Sequence, residues 1–124
     1  MKGYQRMKYG GDFARLRREG RSQAGKYVVL ATLNDPSGTY GSPFIAGLIT
    51  SKKVGIAVVR NRVRRRLRAI IDEFEDRLVP GTMMVVIARY RAPKVSYQVL
   101  RDEWELLAKR AGILSKLSSP ASLT

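Results

Sequence analysis

The residues with the clearest chemistry lie between positions 51 and 68, in the stretch SKKVGIAVVRNRVRRRLR. Eight of its eighteen residues are Lys or Arg, and no acidic residue occurs between Asp35 and Asp72. An arginine guanidinium binds phosphate oxygens through a planar fork of N–H donors, and it stays charged at ordinary pH. The stretch therefore indicates binding of a polyanion, not proton transfer or nucleophilic attack by these side chains.

The composition of the whole chain points to the same class of partner. The chain has 124 residues and a net charge of +14, with no cysteine and no histidine. Without cysteine there is no disulfide, thiolate metal site or cysteine nucleophile, and without histidine the usual general base at neutral pH is missing. We therefore expect nucleic acid as the partner, with an anionic membrane as the second choice, and we disfavour metal-independent hydrolysis by the protein alone.

The basic stretch is predicted to open the central helix of the fold. Apolar residues recur at helical spacing from Val59 to Leu78, which predicts a helix that begins near 56–59 and ends before Pro80. Arginines crowd its first half and acids its second half, the reverse of the arrangement that a helix dipole favours. A phosphate partner removes this conflict, because free amides and arginines then bind one anion together. A solvated basic face offset by the acids is the alternative.

The N-terminal half is predicted to contain one short helix and two strands. Asp12 is a candidate N-cap for the helix DFARLRREG, which Gly20 would end in a left-handed conformation. The apolar runs 26–33 and 44–50 predict strands covered on both faces. The connection of about ten residues between them favours antiparallel neighbours joined as a hairpin.

The C-terminal half is predicted to contain a strand over 82–89, a basic loop RYRAPK, and a helix that Ser96 caps and Gly112 stops. We expect a single RNA-binding domain over 1–124, with its core at about 12–112 and flexible ends at 1–11 and 113–124. The chain shows neither a secretory signal nor a run of about 20 apolar residues, so we expect a soluble, cytoplasmic protein.

Side chains outside the basic stretch offer weaker signals. The four acids between 72 and 76 have a spacing that a divalent metal site would use, but surface solubility and pairing with nearby cations are favoured. Phe13 and Tyr27 are candidates for stacking on unpaired RNA bases, with a place in the core or at its rim as the alternative.

With these residues in view, the chain resembles the protein subunit of bacterial ribonuclease P. The stretch 51–68 is similar to that family's signature, a Ser-Lys-Lys turn, a Gly, an Ala-Val pair and an Arg-Asn-Arg that opens a basic helix. Weaker agreement covers nearly the whole chain. It includes Asp12-Phe13, the Gly-Arg-Ser after the first helix, VVIAR at 85–89, and a closing helix after a Ser-Tyr pair.

The resemblance implies an α+β fold, a two-layer α/β sandwich of the ribosomal protein S5 domain 2-like type. Its order is helix, hairpin, strand, helix, strand, helix. The βαβ crossover around the central basic helix is expected to be left-handed, whereas such crossovers are usually right-handed. Periodicity and charge alone would not have indicated that handedness.

The resemblance also implies a function in tRNA processing. In such a ribonucleoprotein the RNA subunit is the nuclease: it uses Mg²⁺, bound mainly by RNA, for the endonuclease (hydrolase) step that removes the 5′ leader of precursor tRNA. The protein binds the catalytic RNA and the leader and supports metal binding by the RNA. The protein alone is expected to be inactive, with no catalytic residue and no metal ligand of its own.

The site residues implied by the resemblance fall in two groups. Those expected to bind the catalytic RNA are Lys52, Lys53, Arg60, Asn61, Arg62, Arg64, Arg65 and Arg68. Those expected to bind the leader, between the first helix and the sheet, are Phe13, Arg17 and Tyr27. Arg17 and Ala31 stand where aromatic residues are common in the family, so weaker stacking and more phosphate contact are expected. Arg66 stands at a usually apolar position, which leaves its burial open.

Two other functions remain as alternatives. The first is a general RNA-binding or ribosome-associated protein without a processing role, and the Arg-Asn-Arg context argues against it. The second is a protein-only metal-dependent nuclease, which the missing histidines and the lack of converging carboxylates disfavour.

Overall fold

The computed structural model describes residues 5–6, 11–34 and 44–115, with side chains for 14–34 and 44–115. These ranges contain β1 (Gln5–Arg6), α1 (Gly11–Glu19), β2 (Arg21–Ala24), β3 (Val28–Asn34), β4 (Phe44–Thr50), α2 (Ala57–Glu73), β5 (Thr82–Ala88) and α3 (Tyr97–Ala111). Short 3-10 turns cover Lys52–Val54, Glu75–Arg77 and Ala92–Lys94. From α1 onward the order is helix, hairpin, strand, helix, strand, helix, which confirms the expected α+β fold class.

The strands form one sheet in the order β1-β4-β5-β3-β2. The strand β5 lies at its centre, parallel to β4 and antiparallel to β3. The predicted pairing of the runs 26–33 and 44–50 as antiparallel neighbours is therefore wrong, because β5 separates them. The helix α2 connects β4 to β5, as a crossover between parallel strands requires.

The hairpin partner of β3 is β2, which the sequence did not predict. Residues Arg21–Ala24 pair antiparallel with Val29–Thr32. In the turn between the strands, the Gly25 N–H donates to the Val28 carbonyl oxygen at 2.8 Å. The segment RSQA is mostly exposed at the edge of the sheet. It therefore lacks the apolar alternation by which a strand is recognised in a sequence.

The main core lies between one face of the sheet and the helices α2 and α3. Trp104 of α3 is fully buried, and its ring centroid lies 5.1 Å from that of Phe74. The α2 side chains buried in this core are Val63, Leu67, Ile70 and Ile71. The apolar stripe predicted for the central helix is thus confirmed as its buried face.

The opposite face of the sheet carries a smaller cluster, which α1 covers in part. Leu16 of α1 packs there with Ile45, Met83 and Val85, all of them buried. Half-buried apolar side chains surround this contact: Ala31, Leu33, Ile49 and Ile87. Between α1 and the sheet, this face therefore retains partly accessible apolar surface.

The helix α2 ends earlier than its apolar pattern predicts. The regular helix stops at Glu73, and a 3-10 turn follows at Glu75–Arg77. Phe74 and Leu78 remain buried, as predicted. The apolar spacing continues through the tighter turn, so the pattern alone does not show where the α-helix ends.

The boundaries of α3 agree with the prediction. The Ser96 hydroxyl accepts a hydrogen bond from the Val99 N–H at 3.3 Å, and Gly112 follows the helix in a left-handed conformation with a φ of 75°. None of the described helices is long and apolar enough to cross a membrane.

The glycine after α1 serves a purpose other than the predicted one. The helix begins at Gly11, one residue before the predicted Asp12 cap. Among the described glycines a positive φ occurs at Gly55, Gly81 and Gly112, so Gly20 is not left-handed. A Cβ at Gly20 would lie 2.5 Å from the Leu16 carbonyl oxygen and 2.8 Å from that of Thr32. Glycine is needed there for close packing against β3.

Parts of both ends that were predicted to be flexible form contacts with the rest of the fold. Ile113 is buried, its carbonyl oxygen accepts from the Val79 N–H at 2.9 Å, and Leu114 forms an antiparallel bridge with Leu78. At the other end, Gln5–Arg6 pairs in parallel with β4. The rest of the two predicted ends, 1–4, 7–10 and 116–124, lies outside the described residues.

Candidate nucleic-acid interface

The basic stretch runs from the carboxyl end of β4 into the start of α2. The turn Lys52–Val54 holds two exposed lysines, and Ala57 is the first residue of the helix. Gly55 links them with a φ of 150°, and a Cβ there would lie 2.9 Å from Val59 Cγ1. The first turn of α2 has no acidic residue and no side-chain cap. Its free amides therefore have no side-chain acceptor of their own.

Two arginines of α2 are fully available to a partner. Arg62 and Arg65 are exposed. None of the ion pairs between described residues involves an arginine of α2. An exposed arginine without a local carboxylate keeps its hydrogen-bond donors free for phosphate.

Arg64 is held in place by the end of the neighbouring strand. Its guanidinium donates to the Thr50 hydroxyl at 2.6 Å and to Asn61 Oδ1 at 3.3 Å. Asn61 itself is exposed. These contacts fix two of the predicted RNA-binding side chains against the end of β4, so their orientation is set before a partner binds.

Arg66 joins α2 to the basic loop after β5. It is half-buried, and its guanidinium donates to the Val95 carbonyl oxygen at 2.9 Å. This contact resolves the question of its burial: the aliphatic stem is partly covered while the charged head binds main chain. Arg66 thus positions the loop that carries Arg91 and Lys94.

The remaining predicted arginines, Arg60 and Arg68, are half-buried. In each, Nε is buried without a hydrogen-bond partner in the structure. A buried donor without an acceptor is costly.

Glu73, the last residue of α2, forms its contacts with α3. Glu73 accepts from Arg101 Nε and from the Tyr97 hydroxyl, and Glu105 of α3 pairs with Arg77 at 3.6 Å. The hydrogen bond that Arg101 donates to Glu73 raises the pKa of Arg101, while burial, followed by the Glu73 charge, raises the pKa of Tyr97. These contacts join the end of α2 and the 3-10 turn after it to α3, and neither contact involves an arginine of α2.

The predicted leader-binding residues do not share one face. Arg17 is exposed on α1, and the Phe13 side chain lies outside the described residues, although Phe13 itself is in α1. Tyr27 is half-buried and packs against the main core, on the face of the sheet that α2 and α3 cover. The structure therefore separates Tyr27 from α1, and its contact with the leader stays a prediction.

Further cations stand at the same end of the sheet as the start of α2. Thr50, Ala88 and Val28 lie side by side across β4, β5 and β3. The segments next to these strand ends carry basic residues that the sequence analysis did not assign to the site: Lys26, Arg89, Arg91 and Lys94. The loop RYRAPK had shown three of these as a basic run, whereas an isolated Lys26 gave no signal.

Within the described ranges, no group of three or more His, Cys, Asp or Glu side chains lies close enough together to hold a metal ion. The acids between 72 and 76 accordingly do not form such a group there.

Comparisons with known proteins agree with this arrangement. The model of the family Ribonuclease P matches residues 1–112. The chain is 34% identical over 121 residues to the ribonuclease P protein component of Geobacillus kaustophilus, covering 98% of both chains. It is 37% identical over 117 residues to that of Shouchella clausii, covering 94% of this chain and 93% of the relative.

A solved structure supports the same assignment. The ribonuclease P protein of Staphylococcus aureus superposes with a TM-score of 0.77 at 28% identity, covering 89% of this chain and 97% of that one. Fold, signature and sequence identity over almost the full length agree. The chain belongs to the ribonuclease P family and is a bacterial ribonuclease P protein component.

Proposed function

We propose that this chain binds the catalytic RNA of ribonuclease P through the first half of α2 and the turn before it. The residues assigned to this contact are Lys52, Lys53, Arg60, Asn61, Arg62, Arg64, Arg65 and Arg68. The proposal includes the 5′ leader of precursor tRNA as a second ligand of the same protein. The resulting ribonucleoprotein removes that leader by endonucleolytic hydrolysis in the bacterial cytoplasm.

One observation carries the proposal: the arginines of α2 form no ion pair with a carboxylate among the described residues, whereas Glu73 of the same helix pairs with Arg101 of α3. A helix that begins with free amides and adjacent cations is unfavourable alone, since like charges repel and the dipole opposes them. Bound phosphates offset the repulsion between the cations and interact favourably with the helix dipole. Exposed arginine forks next to arginines already fixed in orientation suit a structured RNA better than a diffuse anionic surface.

The leader is assigned to the face of the sheet next to α1. Half-buried apolar side chains surround Leu16 there, and they offer a surface against which unpaired bases can pack. Phe13 and Arg17 of α1 stand beside this face. Arg17 would hold the leader by its phosphates, a contact without preference for a base.

The chemical step is assigned to the RNA, with Mg²⁺ bound mainly by RNA phosphates. When bound, the metal supplies the activated water and stabilises charge at the scissile phosphate. The residues of this chain bind and orient the two RNAs. Their positive charge also lowers the repulsion between two polyanions held together.

The test is cleavage of precursor tRNA at a magnesium concentration where the cognate catalytic RNA alone is inactive. We expect the purified chain to restore release of the leader and to be inert without the RNA. A variant with Arg62→Ala and Arg65→Ala should require more protein to reach the same rate.

A correctly folded catalytic RNA that the chain binds but does not stimulate would contradict the proposal and favour a general RNA-binding protein. The charge-matched control is the pair Arg18→Ala and Lys109→Ala, two exposed cations that pair with Glu19 and Glu105. This control should stimulate cleavage as wild type does.

A further inference from the structure

A second basic cleft lies beside α3. It has a volume of about 400 Å³, and it opens between the β2–β3 turn, the segment after β5 and the last turns of α3. The charged and exposed apolar side chains that line it are Lys26, Arg89, Arg91, Glu103, Leu106 and Arg110. None of these belongs to the interface assigned above to the catalytic RNA.

The single acid of the cleft is already occupied. Both carboxylate oxygens of Glu103 accept hydrogen bonds from three successive main-chain N–H groups: Lys26 at 2.7 Å, Tyr27 at 2.8 Å and Val28 at 3.0 Å. Gly25 permits this approach, since a Cβ there would lie 2.4 Å from Glu103 Cδ. The carboxylate thus caps the start of β3.

The cations of the cleft are less engaged. Arg89 donates to the Gly25 carbonyl oxygen at 2.8 Å, which orients its guanidinium and uses one of its five N–H donors. Between described residues, Lys26, Arg91 and Arg110 form no ion pair. With four cations and one acid, the cleft carries a formal charge of +3.

The cleft also has an apolar wall. Leu106 is 48% exposed, although α3 has a buried face available to apolar side chains. Beside the cleft, Tyr90 is equally exposed, and the guanidinium of Arg91 lies 5.2 Å from its ring centroid. Cations next to apolar surface are what a nucleotide requires, because its phosphate is charged and its sugar and base are not.

We propose that this cleft binds a phosphodiester of RNA, with the phosphate on Arg89, Arg91 and Arg110 and the ribose against Leu106. The inference rests on the proposed function and extends the RNA footprint to a second place. Val28 and Thr50 flank Ala88 across two strand spacings, about 10 Å. The cleft and the start of α2 therefore lie at the same end of the sheet, where β4 and β5 finish and β3 begins. A single folded RNA can reach both.

The test is the salt dependence of RNA binding by the full chain. A variant with Arg91→Ala and Arg110→Ala is compared with Arg18→Ala plus Lys109→Ala, which loses the same charge outside the cleft. The slope of log K against log salt is negative, and each lost phosphate contact reduces its magnitude by about 0.7 to 0.9. At about 0.15 M salt we expect the cleft variant to bind roughly 15- to 30-fold more weakly, with a slope smaller in magnitude by about 1.4 to 1.8.

Two arms identify the RNA that supplies the phosphate. The first measures binding of the catalytic RNA alone, and the second measures binding of precursor tRNA to the reconstituted holoenzyme. A loss in either arm supports the cleft and names its ligand. If the cleft variant matches the charge control in both arms, the proposal is overturned.

The ribose contact is tested separately by Leu106→Ala, which removes no charge. We expect weaker binding with an unchanged salt slope, because no counterion is involved. Unchanged affinity would overturn the ribose contact. Thermal unfolding of each variant shows whether a loss of affinity comes from a loss of folded protein.

The proposed function and this inference fail in different ways. If the wild-type chain does not bind the catalytic RNA, or if Arg65→Ala leaves its salt slope unchanged, the function assigned to α2 fails. If Arg65→Ala reduces the magnitude of the slope and the cleft variant does not differ from its control, the second site alone is wrong.

Discussion

Glu73, the last residue of α2, pairs with Arg101 of α3 and not with an arginine of its own helix. The Tyr97 hydroxyl donates to the same carboxylate. The last acid of α2 is therefore used to join two helices. The unfavourable charge at the start of α2 remains for a partner to neutralise.

Glu73→Gln should weaken this junction without changing RNA binding. The ion pair is partly exposed, with side-chain accessibilities of 26% for Arg101 and 39% for Glu73, so we expect a loss of about 1 kcal/mol in the free energy of unfolding. Urea unfolding, followed by the fluorescence of the buried Trp104, measures this. The control is Asp76→Asn, an exposed acid close by; equal losses in both variants would show that the junction contributes nothing specific.

The same contact predicts a dependence of stability on pH. The pKa of Tyr97 is raised from its ordinary value of 10.0, first by burial and then by the Glu73 carboxylate. Below pH 10 both folded and unfolded Tyr97 are protonated, and its contribution is fully present. As the pH rises above 10 the unfolded state loses its proton first, so this contribution declines. Tyr97→Phe should remove the part of the decline in stability that Tyr97 causes. Parallel curves of unfolding free energy against pH for variant and wild type between pH 8 and 11 would contradict this role of Tyr97.

The hairpin turn predicts a coupling between two distant positions in the chain. Gly25→Ala would place a Cβ 2.6 Å from Glu103 Oε2 and force the carboxylate away from its three N–H donors. We expect a loss of about 1–3 kcal/mol, and a similar loss for Glu103→Ala. Because both changes break one contact, the double variant should lose much less than the sum of the two. Additive losses in urea unfolding would show that the two residues act independently.

Some of the fold could be predicted because its signals are local. Ser96 and Gly112 bracket α3 through contacts within a turn, and the stripe from Val63 to Ile71 needs only helical spacing. The pairing of β4 could not be predicted this way. Its partner β5 begins at Thr82, beyond a whole helix, whereas the run 26–33 is nearer in the sequence. Proximity in the chain favoured the wrong neighbour.

The candidate site was predictable as a set of charges but not as a set of contacts. Every α2 arginine could be counted in the sequence. That Thr50 holds Arg64, and that Val95 holds Arg66, depends on tertiary neighbours from β4 and from the loop before α3. The position of Tyr27 on the α2 and α3 side of the sheet depends likewise on the irregular turn before β3, where strand alternation does not apply.

The leader contact predicts a difference between two adjacent arginines of α1. Leu16 faces the sheet; at 100° per residue Arg17 lies on the flank of the helix and Arg18 on its far side, where it pairs with Glu19 at 3.7 Å. Arg17→Ala should therefore weaken holoenzyme binding of precursor tRNA about four- to sixfold at 0.15 M salt and leave mature tRNA unchanged. Arg18→Ala should affect neither. Equal losses for precursor and mature tRNA would argue against a leader contact at Arg17.

The central claim is that the exposed arginines of α2 bind phosphates of the catalytic RNA. The most direct measurement is the salt dependence of that binding for wild type and for Arg62→Ala plus Arg65→Ala, with Arg18→Ala plus Lys109→Ala as the charge-matched control. We predict that the α2 variant reduces the magnitude of the slope of log K against log salt by about 1.4 to 1.8, while the control keeps the wild-type slope. Identical slopes for the two double variants would contradict the account and return α2 to an ordinary solvated surface.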